Sequence, residues 1–211
     1  MGLRQSDTLD EQIARAVEVL KQGGVVAFPT DTVYGLGSSS TLESALRRVF
    51  QIKQRPLDLA LPLLLADPSD IEKAAASVSK FALKLAECFW PGGLTLVVHK
   101  ANWISPLITA GGDTVAVRVP DHPVPRALSR DLGVPIVGTS ANLSGQPSPL
   151  TAQEVHRQLG HHVDIIIEGS CPGGVESTVV DVTSDPPVLL REGAISLSRI
   201  ETECGVKIRR K

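Results

Sequence analysis

Three features that often reveal a protein's class are scarce in this chain of 211 residues: aromatic side chains, paired cysteines and long apolar runs. Aromatic residues make up only 3%, so valine, leucine, isoleucine and alanine must fill the core, and RNA recognition by base stacking is disfavoured. The three cysteines, Cys88, Cys171 and Cys204, form no C-x-x-C pair, which excludes a zinc ribbon and a thioredoxin-like motif. Residues 1–10 contain no signal-peptide core and no run could span a bilayer, so we expect a cytoplasmic protein without membrane contact.

Motifs for covalent catalysis and for common nucleotide-binding loops are also absent. The chain has no G-x-S-x-G, no G-x-x-x-x-G-K-[ST] and no G-x-G-x-x-G after a strand. Its net charge of −2 argues against non-specific binding of a polyanion through bulk charge. His161 and His162 follow a predicted helix end, where basic side chains are favoured, so we assign no metal site. The remaining hydroxyl, amide, lysine and arginine side chains suit the positioning and charge stabilisation of phosphates.

Helical and strand patterns alternate along the chain, with no low-complexity linker and no internal repeat. Thr8-x-x-Glu11 and Thr151-x-x-Glu154 have the pattern of capping boxes at helix starts. Several predicted strands follow one another without a helix between them, so we predict a mixed α/β fold whose sheet contains parallel and antiparallel strands. The predicted strands lie at 25–28, 61–65, 94–99, 114–119, 135–137, 163–167, 178–182 and 188–191.

One domain spanning residues 8–200 accounts for all these elements. The segment 201–211 ends in four basic residues, Lys207, Arg209, Arg210 and Lys211. A solvated chain end explains such a run more simply than a binding site, so we interpret 201–211 as a basic C-terminal tail.

Polar residues cluster where predicted strands end, first at Thr30–Gly37 behind the apolar run Val25–Phe28. Pro29 has no N–H to donate to a neighbouring strand, so the strand ends there. Ligands of open α/β sheets usually bind in the crevice beyond such strand ends. The pattern alone leaves two interpretations, an ordinary strand-to-helix loop and a ligand site.

A basic pair follows in the stretch 53–56, Lys-Gln-Arg-Pro. Because proline pushes the preceding residue into extended backbone, Lys53 and Arg55 are predicted to project from one face, where they could bind a phosphate chain. A helix C-terminus whose basic residues interact with the helix dipole is the alternative.

Further polar positions occupy later strands. Arg118 alternates with Val117 and Val119, so it points away from the core, either into solvent or towards an anionic partner. The hydroxyl and amide side chains of 139–145 come directly after an apolar strand, as turn residues or as ligand donors. Glu176–Thr178 and Arg191 are further polar residues beside predicted strands.

Six stretches together resemble the YrdC family, the threonylcarbamoyl-AMP synthases, and they occur in the family's order. The resemblance implies a twisted α/β sheet with a concave, positively charged ligand-binding face, without the extra C-terminal domain of longer members. The matching stretches are Pro-Thr-Asp-Thr-Val-Tyr-Gly-Leu (29–36), Lys-Gln-Arg-Pro (53–56), Pro-Gly-Gly-Leu-Thr-Leu-Val (91–97), Val-Arg-Val-Pro-Asp-His (117–122), Thr-Ser-Ala-Asn-Leu-Ser-Gly (139–145) and Glu-Ser-Thr-Val-Val-Asp (176–181).

The resemblance implies an enzyme that makes threonylcarbamoyl-AMP and pyrophosphate from L-threonine, bicarbonate or CO2, and ATP, with Mg²⁺ carried by the nucleotide. Downstream transferase proteins then modify tRNA, and direct contact of this chain with tRNA is expected to be weak. Matching positions imply that Lys53 and Arg55 offset phosphate charge in catalysis. By the same matching, Thr32, Arg118, Ser140 and Ser177 would bind L-threonine, and Lys53, Arg55, Thr114, Asn142 and Arg191 would bind ATP.

The chain departs from the family pattern after the Lys-Gln-Arg-Pro stretch. Many members place a polar residue, a proline and a histidine where this chain has Leu59, Ala60 and Leu64. That histidine helps to hold threonine in some members. This departure leaves two alternatives. Either Thr32 alone contacts the threonine hydroxyl, or the chain is a divergent paralogue with another substrate. A non-catalytic protein that binds double-stranded RNA or tRNA is the remaining alternative.

Overall fold

A ten-stranded sheet of mixed direction forms the centre of the computed structural model, which describes residues 7–211. Its strands are β1 (Val26–Phe28), β2 (Gly35–Ser39), β3 (Leu63–Leu64), β4 (Leu94–His99), β5 (Thr114–Arg118), β6 (Ile136–Ser140), β7 (Ile165–Ile166), β8 (Thr178–Asp181), β9 (Val188–Arg191) and β10 (Arg209–Arg210). Their order is β10-β9-β8-β4-β5-β3-β6-β2-β1-β7. Parallel pairing joins β1 to β7, β3 to β5, β4 to β8 and β9 to β10, and the other neighbours are antiparallel. The predicted mixed α/β fold is confirmed.

Helices pack on both faces of the sheet and bury two apolar clusters. They are α1 (Leu9–Lys21), α2 (Glu43–Lys53), α3 (Ile71–Ala74), α4 (Lys80–Phe89), α5 (Pro106–Thr109), α6 (Pro123–Leu132), α7 (Ala152–Leu159) and α8 (Leu197–Cys204), with a 3-10 helix at Pro68–Asp70. Within β1, Phe28 belongs to the cluster beneath α1 and α6, whereas Ala27 belongs to the larger cluster beneath the other helices. This alternation assigns each strand residue to one of the two faces.

Several helix starts and ends agree with the local signals. Thr8 and Thr151 form capping boxes with Glu11 and Glu154, as predicted. Gly133 ends α6 with a φ of 79°, a left-handed conformation that glycine adopts without strain.

Strand β2 lies in the stretch that the sequence pattern assigns to a turn. Glycine is a poor strand former, but a Cβ on Gly35 would stand 2.5 Å from the Phe28 ring, and one on Gly37 would stand 2.2 Å from the Val137 carbonyl oxygen. Both glycines are therefore required by the close approach of β1 and β6 to β2.

The segment 201–211 also differs from the predicted solvated tail. Residues up to Cys204 belong to α8, and β10 pairs in parallel with β9, so the sheet continues past residue 200. Ile208 is buried, and Arg210 forms an ion pair with Glu192 at 3.1 Å. Burial of this one apolar side chain anchors the basic residues around it.

Residues 1–6, which belong to the stretch without a signal-peptide core, lie outside the described residues. Across residues 7–211, no helix is both long and apolar enough to cross a bilayer.

Candidate functional site

A cavity of about 230 Å³ gathers most of the polar strand ends. Its position follows from strand alternation. Val117 and Val137 point into the larger core, so their neighbours Arg118 and Gly138 point to the opposite face, on which α1 and α6 pack. Thr95 of β4 lies next to Leu96 and points to that same face. The end of β5, the end of β6 and the Thr30–Gly35 turn thus surround one space.

Arg118 lies on the cavity wall with its guanidinium held on three sides. Its Nε donates to the Gly92 carbonyl at 2.9 Å, Nη1 to Thr32 Oγ1 at 2.9 Å and Nη2 to Asp31 Oδ1 at 2.6 Å. The residue is only 7% exposed, so burial lowers its pKa, and Asp31 opposes that lowering. Three of about five N–H donors are in use, which leaves two for an anion in the cavity. Two interpretations of Arg118 were left open, a solvated face and an anionic partner. The second is correct, because Asp31 is its anionic partner.

The hydrogen bonds around Thr32 fix the direction in which its hydroxyl proton points. Thr30 Oγ1 donates to the Val33 carbonyl at 2.7 Å, so its 3.0 Å contact with Thr32 Oγ1 uses the proton of Thr32. Thr32 Oγ1 also accepts from Arg118. One lone pair of Thr32 remains, and it can accept a hydrogen bond from a ligand hydroxyl.

The opposite wall is formed by residues around β8 and β9. Arg191 donates through Nε to the Ser177 carbonyl at 3.0 Å and forms an ion pair with Glu176 through Nη1. Ser177 Oγ lies 2.8 Å from Thr95 Oγ1. Arg191 Nη2 also donates to Ser177 Oγ at 3.3 Å, so Arg191 contacts both the hydroxyl and the carboxylate of the two residues that precede β8.

Lys53 lies at a helix C-terminus, which is one of the two interpretations that the sequence pattern left open. It is the last residue of α2, and Gln54 adopts a left-handed conformation with φ 50°, so Lys53 and Arg55 do not share an extended segment. Lys53 is 2% exposed, and its Nζ donates to the carbonyl of Asn142 at 2.8 Å and to its Oδ1 at 3.0 Å, as well as to the Ser140 carbonyl. The other interpretation, in which Lys53 and Arg55 project together from one extended segment, is wrong because α2 continues to Lys53. Arg55 does line the cavity.

A pH-dependent stability is expected from Lys53. Burial, with the charge of Arg55, lowers its pKa from 10.5 to about 8. Between these values the unfolded chain keeps a proton that the folded chain has released, so folding stability rises with pH. The unfolding free energy of wild type relative to Lys53→Met should increase by up to about 3 kcal/mol from pH 8 to pH 10.5.

Urea denaturation at a series of pH values measures this difference. Lys84→Met, at an exposed position of α4, is the matched control and should show no such widening. Parallel curves for wild type and Lys53→Met would contradict the lowered pKa.

Two further predicted residues lie outside the cavity lining. Asn142 is buried beside Lys53 and donates through Nδ2 to the Gln146 carbonyl. Thr114 pairs with His99 at the start of β5, whereas Arg118 stands at its end. Thr32, Arg55, Arg118, Ser140, Ser177 and Arg191 do line the cavity, while Lys53, Thr114 and Asn142 do not.

Leu64 supplies an apolar patch in the same wall. A Cβ on Gly138 would stand 2.4 Å from Leu64 Cδ1, so the glycine makes room for this leucine. Leu64 is buried against the cluster beneath α1 and α6 and still lines the cavity. The position at which the family resemblance implies a histidine therefore lies in the cavity wall.

Sequence reasoning assigned no role to Asp31 or Thr95. Asp31 orients Arg118, and Thr95 orients Ser177. Thr95 carries a detectable signal, since it is the single hydroxyl in the otherwise apolar run Leu94–Val98. For Asp31 the partner is 87 residues away, so no local pattern reveals it.

The cavity of this α/β protein is thus surrounded by three guanidinium groups and several hydroxyls, a set of donors that suits an anionic ligand. A family model described as "Telomere recombination", covering Sua5, YciO and YrdC proteins, matches residues 18–193. The chain belongs to this Sua5/YciO/YrdC family.

Individual relatives agree. The threonylcarbamoyl-AMP synthase of Bacillus subtilis (strain 168) is 45% identical over 200 residues, which are 94% of this chain and 58% of that protein. The synthase of Vibrio vulnificus (strain YJ016) is 42% identical over 159 residues, 74% of this chain and 86% of that protein. The chain thus spans less than two thirds of the Bacillus protein.

Solved structures show the same fold. The crystal structure of P. abyssi Sua5 complexed with L-threonine has a TM-score of 0.92 and 41% identity, and the match covers 100% of this chain and 62% of that one. The crystal structure of E. coli YciO has a TM-score of 0.83 and 28% identity, with 95% and 98% covered. The resemblance to the YrdC family is confirmed.

Proposed function

We propose that this chain forms threonylcarbamoyl-AMP and pyrophosphate from L-threonine, bicarbonate or CO2, and ATP. The observation that carries the proposal is the buried Arg118 guanidinium, whose free donors stand beside the acceptor lone pair of Thr32. Together they match a carboxylate and a hydroxyl on adjacent carbons of one small ligand. A relative that is 41% identical has been crystallised with L-threonine.

In the proposed complex, the threonine carboxylate binds Arg118 and its hydroxyl donates to Thr32. Ser140 and Ser177 form the neighbouring walls. Arg55 and Arg191 are placed to offset the charge of the nucleotide phosphates. The predicted contacts of Lys53, Thr114 and Asn142 with ATP remain predictions, since none of the three lines the cavity.

The proposed reaction needs no nucleophile from the protein. The threonine ammonium loses a proton to solvent, and the free amine captures CO2 as a carbamate with release of a second proton. A carbamate oxygen then attacks the α-phosphorus of ATP, and pyrophosphate leaves with the electron pair of the broken P–O bond. Positioning and charge stabilisation are then the main contributions of the site. Within residues 7–211, no group of three His, Cys, Asp or Glu side chains could hold a metal ion, so we propose that Mg²⁺ enters with the nucleotide.

The product would be used by separate transferase proteins that attach the threonylcarbamoyl group to tRNA. We propose the cytoplasm, where ATP and tRNA are both present, as the place of the reaction. Mass spectrometry of a reaction with L-threonine, bicarbonate and MgATP should show threonylcarbamoyl-AMP, and omission of any one substrate should remove it. A nucleotide product without the threonyl group would overturn the assignment of the substrate.

Selectivity for threonine over serine is expected to depend on Leu64. The threonine methyl group would lie against this apolar patch, and one buried methyl group contributes about 1 kcal/mol, so L-serine should have a kcat/KM about fivefold to tenfold lower. Leu64→Ala should reduce that preference. Steady-state kinetics with both amino acids measures it, and an unchanged preference would place the methyl group elsewhere.

A further inference from the structure

We infer that Glu176 binds the α-ammonium group of the amino-acid substrate, an inference that rests on the proposed function. Among the described residues, Glu176 is the one carboxylate that lines the cavity, and the other charged groups there are the guanidiniums of Arg55, Arg118 and Arg191. A substrate that carries an ammonium group is repelled by all three guanidiniums. Its favourable position in this field is beside Glu176.

The carboxylate of Glu176 is fixed in place yet keeps free acceptor capacity. Arg191 Nη1 pairs with Oε2, and the Ser148 hydroxyl donates to Oε1 at 3.0 Å. A carboxylate offers about four lone-pair sites, so each oxygen retains one for an N–H donor. The Glu176 side chain is 40% exposed, which leaves it accessible to a ligand.

Neighbouring groups complete the site for an ammonium. Ser177 follows Glu176 directly and lines the cavity. Its Oγ accepts from Arg191 Nη2 at 3.3 Å and lies 2.8 Å from Thr95 Oγ1, so it keeps one free lone pair when it donates to Thr95. An ammonium has three N–H donors, and a carboxylate with an adjacent hydroxyl can accept two of them. Asp31 is the other nearby carboxylate, but it pairs with Arg118 at 2.6 Å and does not line the cavity.

The two walls of the cavity would therefore bind different groups of one substrate. Arg118 and Thr32 match the carboxylate and hydroxyl, whereas Glu176 matches the ammonium on the carbon between them. Glu176 would in this way select α-amino acids over the corresponding acids that lack the amine.

Ligand-observed NMR titration with two compounds tests this role. One is L-threonine, and the other is (R)-3-hydroxybutyrate, which keeps the carboxylate, hydroxyl and methyl group but lacks the amine. Glu176→Gln should weaken threonine binding about tenfold or more, the loss typical of one charged hydrogen bond. It should leave the affinity for (R)-3-hydroxybutyrate unchanged. Glu72→Gln, at an exposed position of α3, is the matched control and should alter neither affinity.

The outcomes separate the two proposals. Equal weakening of both compounds by Glu176→Gln, or unchanged threonine binding, would overturn the role of Glu176 and leave the proposed function standing. Failure of the wild-type chain to bind L-threonine would overturn the proposed function together with this inference. The melting temperature of Glu176→Gln shows that the variant is folded in each comparison.

Discussion

Replacing Arg118 with lysine is expected to lower kcat/KM for threonylcarbamoyl-AMP formation by about 100-fold or more. The guanidinium contacts the Gly92 carbonyl, Thr32 and Asp31 at once, and a single ammonium cannot reproduce that planar arrangement. Asp31 would be left with a poorer partner, and the donors proposed for the threonine carboxylate would be lost. Pyrophosphate release at varied threonine concentrations measures the effect.

A matched arginine separates this effect from the loss of any positive charge. Arg130, on α6, forms an exposed ion pair with Asp67, so Arg130→Lys should retain wild-type activity. Circular dichroism should show both variants folded. If Arg118→Lys turned over threonine at the wild-type rate, Arg118 would be excluded from the substrate site.

Gly37→Ala is expected to lower the stability of the fold strongly. The new Cβ would stand 2.2 Å from the Val137 carbonyl oxygen and 3.1 Å from the Phe28 ring, and the first of these contacts is backbone that cannot rotate away. Strands β2 and β6 must then separate. The expected loss is about 3 kcal/mol or more in unfolding free energy, which is about 10 °C in melting temperature for a chain of this size.

Gly112→Ala provides the comparison, because a Cβ there meets only the Thr109 carbonyl oxygen at 3.2 Å. Its cost should stay below about 1 kcal/mol. Thermal unfolding of both variants measures the difference. Equal melting temperatures would contradict the tight contact between β2 and β6.

Local patterns predicted the strands that carry the site because side-chain alternation has a fixed period of two. That rule placed Arg118 opposite its valine neighbours, and the structure places its guanidinium on the face away from the larger core. The same patterns could not say whether Arg118 meets solvent or an anion. Asp31, its partner, lies far away in the sequence and is brought close only by the sheet.

The sequence predictions were wrong where tertiary contacts outweigh the local conformational preference of the residues. Gly35–Ser39 has the composition of a turn, yet it forms strand β2 between β1 and β6. The Phe28 ring occupies the space that a side chain at position 35 would need, so glycine fits this strand. Arg55 lies outside α2, as expected for a residue before proline, but that rule says nothing of Lys53, which α2 includes. Lys53 therefore anchors the turn at Asn142, and its side chain does not reach the cavity.

Release of pyrophosphate from ATP in the presence of bicarbonate tests the proposed activity most directly when L-threonine is the variable. The expected result is release that rises and saturates with L-threonine and that is lost in Arg118→Lys. Release that is independent of L-threonine would contradict the proposal. So would the absence of release combined with tight, salt-dependent binding of tRNA, because that result would favour a non-catalytic RNA-binding protein.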